Sequence, residues 1–363
     1  MLTQIQYCND AGFSALAQNG GSGWAAFPAC KNLLVINLAA LNRVAVAHDK
    51  KTAVIGGGAR ISDTIAAADA AGVLVQTGNC NYAGTLGVFL GGGYGNLLGQ
   101  VGMGVDSIVD MRVVTADGQL RTVSASQEPE LFWALRGAGP NFGIVTSATV
   151  KAYATPREER SAWCGALIYS EDKLEQVVHA IQNLTLTDRM VVFMYFASSG
   201  PPHHAPVVLV TPWLFQGDAE SGKAAFSPLY EIGPMMEDTS VLPYTEWNTG
   251  ANPFGRHSER KPSFGAGLDQ LDSNAWREVW KLYEEFQKRP AAQASVVLLE
   301  AYPMNRTRFA GEASSSFAHR NVRFNVGILP WYTDESLDAD AIKLGKNIRE
   351  LWRRSSGRDD NAT

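Results

Sequence analysis

The stretch from Gly78 to Gly104 (GNCNYAGTLGVFLGGGYGNLLGQVGMG) constrains the fold more than any other part of the chain. Backbone this rich in glycine builds neither a long helix nor a long strand, because each interior glycine costs roughly 0.5–1 kcal/mol relative to alanine. It permits sharp turns and close approach of the backbone to a ligand. Two further segments share the character: Asn19 to Trp24 (NGGSGW) and Gly137 to Thr146 (GAGPNFGIVT). Exposed backbone N–H groups in such loops can cradle a pyrophosphate. The same composition also serves as a plain structural turn. Gly91-Gly92-Gly93-Tyr94-Gly95 is not the dinucleotide fingerprint of a parallel sheet, since it follows no clear strand and lacks the matching acidic residue about 20 positions on.

Around these loops the pattern alternates short strands and helices. Residues 33–38 and 52–57 read as strands. Residues 62–71 read as an alanine-rich helix capped by Ser62 and stopped by Gly72. Residues 110–115 and 120–125 form a hairpin through Asp117-Gly118. A helix starts at Pro129 and ends before Gly137. Ile144, Thr146, Ala148 and Val150 alternate as in a half-buried strand. Past about residue 155 glycine thins out and amphipathic helices appear. Leu174, Val177, Val178 and Ile181 fall at helical spacing, as do Trp276, Val279, Trp280 and Tyr283. Strand-like runs cover 190–196, 206–211, 295–302 and 322–329, and a last helix covers 337–353. The fold class is α+β. It divides into a unit over 1–155, a unit over 156–353 and a polar, disordered tail over 354–363.

Several function classes are excluded by what the chain lacks. A net charge of −5 with no basic block gives nucleic acid nothing to hold. No run of about 18 apolar residues predicts a membrane-spanning helix. The first residues do not read as a signal peptide, so the chain reads as cytoplasmic as written, and its localisation stays open. Cys8, Cys30, Cys80 and Cys164 form no CxxC pair, which argues against zinc and against a disulfide framework. His203-His204 sits in a proline-rich turn with no carboxylate or cysteine close by, so a solvated loop is expected and no metal.

The order of the motifs carries more information than their glycine content. Gly78-Asn-Cys80, Gly84-Thr-Leu-Gly87, Gly91-Gly-Gly-Tyr-Gly95, Asp106, Val114-Thr-Ala-Asp-Gly118, Leu131-Phe-Trp-Ala-Leu-Arg-Gly137 and Asn141-Phe-Gly-Ile-Val-Thr146 follow one another in that sequence. This series resembles the berberine-bridge-enzyme-like branch of the vanillyl-alcohol oxidase superfamily, most closely its fungal members. The resemblance is dense to about residue 155 and thin beyond, where Phe317-Ala-His-Arg320 matches the substrate domain. It implies a vanillyl-alcohol-oxidase-type domain holding extended FAD, followed by a substrate domain whose antiparallel sheet covers the isoalloxazine. Carried over, Gly20, Gly21, Ser22 and Gly23 form the pyrophosphate loop. Gly84, Gly87, Gly91, Gly92 and Gly93 line the other side of the cofactor. Gly143 and Val145 meet the adenosine end through backbone, and Asp106 braces the glycine loop.

Two departures stand out against the family pattern. The family usually writes its first loop Gly-Gly-His, and that histidine bonds a flavin methyl. Here Gly20-Gly21-Ser22 stands instead, and serine cannot make the link. Cys80 occupies the place of the family's second covalent anchor, so it reads either as a cysteinyl link or as a small buried hydrophobe. The family also carries segments before the first loop and after the last helix that this sequence does not show. A shortened chain, or a protein partner covering exposed strand edges, is therefore expected.

Family oxidases remove a substrate proton with a glutamate or tyrosine on the substrate-domain sheet. Glu300 and Tyr302 lie two apart on the run 295–302 and so share a face. A glutamate over an apolar surface can be raised in pKa into a useful range. The other reading has Glu300 facing solvent or pairing with arginine. Three functions stay open. The first is an FAD-linked oxidase of a small molecule, of the class that tailors fungal secondary metabolites, passing electrons to molecular oxygen. The second is a non-redox isomerase or cyclase on the same scaffold. The third is a non-catalytic remnant or partner subunit.

Overall fold

The computed structural model describes residues 1–23, 31–255, 259–309, 311 and 314–356. Trp24 of the first glycine segment, Cys30 and the tail from residue 357 lie outside them. The chain divides into two compact units. One comprises Met1–Ser161, Leu242–His257 and Asn305–Arg320, the other Ala162–Val241, Ser258–Met304 and Asn321–Thr363.

The first unit opens with helix α1 (Leu2–Ala11) and the parallel pair β1 (Ser14–Gln18) and β2 (Leu33–Asn37). Its main sheet is antiparallel, with strands β3 (Val44–Val46), β4 (Thr52–Gly56), β5 (Ile108–Val114), β6 (Leu120–Ser124) and β7 (Ile144–Lys151) in the order β3-β4-β7-β5-β6. Helix α2 (Ile61–Ala71) follows β4 and stops at Gly72, whose φ of 70–80° is left-handed and favours glycine. The expected cap at Ser62 is corrected to Arg60. The backbone N–H of Arg60 donates to the Asp63 carboxylate at 2.9 Å, so the helix starts a residue earlier and Asp63 takes the capping role. The hairpin between β5 and β6 turns at Gly118, with φ 74°. Helix α3 (Pro129–Ala138) loses helical geometry at Arg136 and Gly137, where Gly137 has φ 143°, so its regular part ends before that glycine.

The second unit is built on a seven-stranded sheet. Its strands are β8 (Ser161–Tyr169), β9 (Met190–Ser198), β10 (Pro206–Phe215), β11 (Met236–Pro243), β12 (Phe264–Leu268), β13 (Val296–Ala301) and β14 (Phe324–Leu329), ordered β11-β8-β10-β9-β13-β14-β12. Helices α4 (Leu174–Asn183), α5 (Ser273–Gln287) and α6 (Asp338–Ser355) supply apolar side chains to one core with this sheet. The final helix therefore includes residues 354 and 355.

Strand periodicity decides which side chains enter that core. Val192, Met194 and Phe196 of β9 join Val177, Trp276 and Trp280 there. Phe196 meets the Trp280 ring edge-on at 4.9 Å between centroids. The alternate residues, Val191, Phe193 and Tyr195, stand on the opposite face.

Candidate functional site

Glycines bring two loops of the first unit into contact. A Cβ on Gly20 would lie 2.5 Å from the Tyr82 carbonyl oxygen and 2.6 Å from the Gly84 nitrogen. A Cβ on Gly84 would lie 2.4 Å from the Asn19 side-chain nitrogen. Asn19 Nδ2 in turn donates to the carbonyls of Gly57 at 2.8 Å and Ala59 at 3.1 Å. Gly20 is buried by this packing, while Gly21, Ser22 and Gly23 are exposed beside it. Cys80 is half-buried on the adjoining loop, four residues before Gly84.

Past this contact the backbone becomes a bare ridge. A Cβ on Gly87 would meet nothing within 4 Å, and one on Gly91 only backbone oxygens at 3.8 and 3.9 Å. Gly92 and Gly93 are different, because their backs are occupied. The Phe317 ring lies 2.6 Å from the Cβ position of Gly92, and the Gly104 backbone 2.7 Å from that of Gly93. The N–H of Gly104 donates to Gly93 O at 2.8 Å, and that of Val105 to Gly92 O at 3.0 Å. Asp106 stands on the same short turn and pairs with Arg320 at 2.8 Å. At the third segment, Gly143 has φ 148° and its Cβ position lies 2.7 Å from Val114 O. The Val145 side chain is buried in the sheet opposite Val113, and its carbonyl oxygen lies 2.4 Å from the Cβ position of Gly57.

Some of the residues that shape this region carry no signal read from the sequence. Gly56 and Gly57 read only as the end of a strand and Gly58 carries no reading, yet a Cβ on any of the three would strike backbone, at 2.0, 2.4 and 1.8 Å. The segment 242–255 carries no reading from the sequence, yet it braces the Cys80 loop. Tyr244 donates its hydroxyl to Val75 O at 2.9 Å, Asn248 donates to Gly78 O at 3.1 Å and Asn81 donates to Asn252 at 3.0 Å.

In the second unit, Glu300 stands on the sheet face away from the helices. Val297, Leu299 and Ala301 enter the core, so alternation puts Glu300 on the other side, opposite Phe193 on β9 and Asn325 on β14. Burial pushes its carboxyl up to about 7, and a hydrogen bond from Tyr302 works against that rise. Tyr302 lies just past the end of β13, is buried and meets the Phe193 ring edge-on at 5.6 Å. Burial first, then the Glu300 charge, raise the Tyr195 hydroxyl well above its ordinary value, while a hydrogen bond with Thr211 opposes them. The result is a carboxyl poised near neutrality between two tyrosines, able to take or return one proton.

Comparison with known proteins decides what this arrangement belongs to. The chain is 32% identical to the FAD-linked oxidoreductase hasG of Aspergillus fumigatus over 335 residues, which cover 88% of this chain and 70% of that protein. It belongs to the fungal FAD-linked oxidoreductases. A second FAD-linked oxidoreductase, OXR1 of Pyricularia oryzae, is 30% identical, and the match covers 90% of this chain and 66% of that one. A family model described as an FAD binding domain matches residues 2–124. The fold is that of flavin oxidases with berberine-bridge-like architecture. The Arabidopsis thaliana protein described as BBE-like #28 superposes with TM-score 0.83 at 18% identity, covering 99% of this chain and 77% of the other. The 6-hydroxy-D-nicotine oxidase of Arthrobacter nicotinovorans gives 0.79 at 20% identity, covering 97% and 77%. The family membership and the α+β, antiparallel-sheet fold expected from the motif series are thereby established.

Proposed function

We propose that this fungal oxidoreductase oxidises a small molecule, with hydride passing to FAD and electrons then to molecular oxygen, and with Glu300 as the base that removes the substrate proton. The observation that carries the reading is Glu300 itself. It is a carboxyl raised to about 7 on a sheet face, within hydrogen-bond reach of Tyr302. A general base works best with a pKa near the working pH. FAD, when bound, supplies the hydride acceptor. The chain's own residues do the rest: they bind, orient and move the proton.

The glycine loops fit such a cofactor. Close packing of Gly20 on Gly84 leaves Gly21, Ser22 and Gly23 exposed, where backbone N–H groups can meet a pyrophosphate. Gly87 and Gly91 offer an exposed surface without side chains to a flat ring system, and the buried Gly92 and Gly93 fix the backbone next to it. Gly143 and Val145 would contribute backbone alone at the adenosine end. In this reading the first unit holds the cofactor and the second presents the substrate. The relatives, each called an FAD-linked oxidoreductase, support the redox reading, and a fungal secondary metabolite is the substrate class this reading assigns.

Ser22 cannot form a histidyl link, and among the described residues of this site Cys80 is the candidate to carry a covalent one. Its half-exposed position suits attack on the flavin ring. Acid precipitation of the FAD-loaded protein tests this. Yellow colour held in the pellet, and lost to the supernatant in Cys80→Ala, is the expected result. Colour released from the unaltered protein would rule out the link. The oxidase reading itself is tested by oxygen uptake with a panel of small alcohols and amines. Conversion of substrate without oxygen uptake would instead indicate isomerase chemistry.

A further inference from the structure

The segment Asn305–Arg320 belongs to the first unit although it lies far along the chain from the glycine ridge. It reaches the ridge in two ways. Directly, the Phe317 ring fills the space behind Gly92, and its backbone approaches the Cβ position of Gly137 to 2.3 Å. Indirectly, Arg320 forks onto Asp106, with its two terminal nitrogens 2.9 and 2.8 Å from the two carboxylate oxygens. Arg320 is 1% exposed and is also held by Ser315 Oγ at 2.6 Å. Asp106 sits one residue beyond Val105, whose N–H, with that of Gly104, grips the carbonyls of Gly92 and Gly93. Tyr94 donates its hydroxyl to His319 O at 3.0 Å and closes the arrangement.

We infer that Arg320 is a positioning residue for the cofactor: through Asp106 it sets the backbone shape of the Gly91–Gly93 ridge that receives FAD. The inference rests on the reading of the ridge as part of the FAD site. A bidentate guanidinium–carboxylate pair fixes orientation as well as distance, which a lysine does not reproduce. A pair this buried is costly to break from one side and much less costly to neutralise on both. Nothing about it is needed to make the ridge glycines small. Its effect is to hold them at one place.

The test is a fluorescence titration of FAD into apo-protein carrying Cys80→Ala, so that binding is reversible. Arg320→Gln and Asp106→Asn are each expected to raise the FAD dissociation constant about 10-fold or more, and the double variant no further than either single one. Arg320→Lys should fall between. Arg160→Gln is the control. It breaks another ion pair of the same unit whose arginine is buried, Arg160 with Asp69 at 2.8 Å, and should leave FAD affinity within about 2-fold. If a single variant fails to fold, the neutralised double variant carries the comparison. FAD affinity unchanged in Arg320→Gln, or lowered equally in Arg160→Gln, would overturn the inference. A parent protein that binds no FAD at all would instead overturn the cofactor reading on which the inference rests.

Discussion

Glutamine in place of Glu300 lowers kcat by about 10²- to 10⁴-fold, the usual contribution of a positioned general base, and leaves FAD content unchanged. The shape of the pH profile identifies the group. A carboxyl with a pKa of about 7 is a base only when ionised, so the rate of the unaltered enzyme rises with pH to about 7 and then levels. In Glu300→Gln that limb disappears. Stability moves in the opposite sense. The folded state holds the Glu300 proton up to about 7, whereas the unfolded chain releases it near 4.5. The protein therefore loses stability as pH rises through that window, because an ionised carboxylate must then be held with much of its hydration removed. Glu300→Gln should raise the melting temperature at pH 8, by an amount corresponding to roughly 1–3 kcal/mol, and change it little at pH 4. A variant that is slower yet more stable above neutrality is the signature of a carboxyl strained for catalysis. A uniform loss of stability across this range would point to a purely structural glutamate.

The second large effect separates two glycines of one site. Gly20→Ala places a methyl group 2.5 Å from a backbone carbonyl oxygen, and the loops must part to admit it. Overpacking of this kind costs about 1–3 kcal/mol. The melting temperature should drop by several degrees, and FAD affinity with it. Gly87→Ala is the reverse case. It lies in the short helix Thr85–Phe89, where the new methyl meets no protein atom within 4 Å. Stability should hold or rise slightly, since alanine favours helix over glycine. If Gly87 lines the cofactor as proposed, FAD affinity should nevertheless fall by about 10-fold or more, because the methyl would stand in the cofactor's space. Equal affinity in Gly87→Ala and the parent would remove Gly87 from the cofactor surface.

The contrast between those two glycines also shows which parts of the site could be read from the sequence. Composition marks both as unusual, but only contact distances show that Gly20 faces protein and Gly87 faces open space. The hairpin at Gly118, the stop at Gly72 and the helices carrying Trp276 and Val177 were legible because their signals are local: a turn residue or a periodic apolar face. Strand β8 was not, because Ser161–Tyr169 mixes small with large apolar residues without a clean alternation and carries Gly165 at φ 155°, with the Asp238 carbonyl against it. The Glu300 face followed from simple alternation, whereas the rise of its pKa depends on surroundings that no spacing reveals. Asp106 and Arg320 each stand in a quoted motif, but their pairing across 214 residues was not legible. Pairings at that separation leave no periodic trace in a single sequence.

The measurement closest to the central claim is an absorbance spectrum of the purified chain, incubated with FAD and then desalted. The account predicts flavin bands that stay with the protein at about one FAD per chain, as one cofactor-binding unit requires. A colourless protein after desalting, from a sample that circular dichroism shows to be folded, would contradict it.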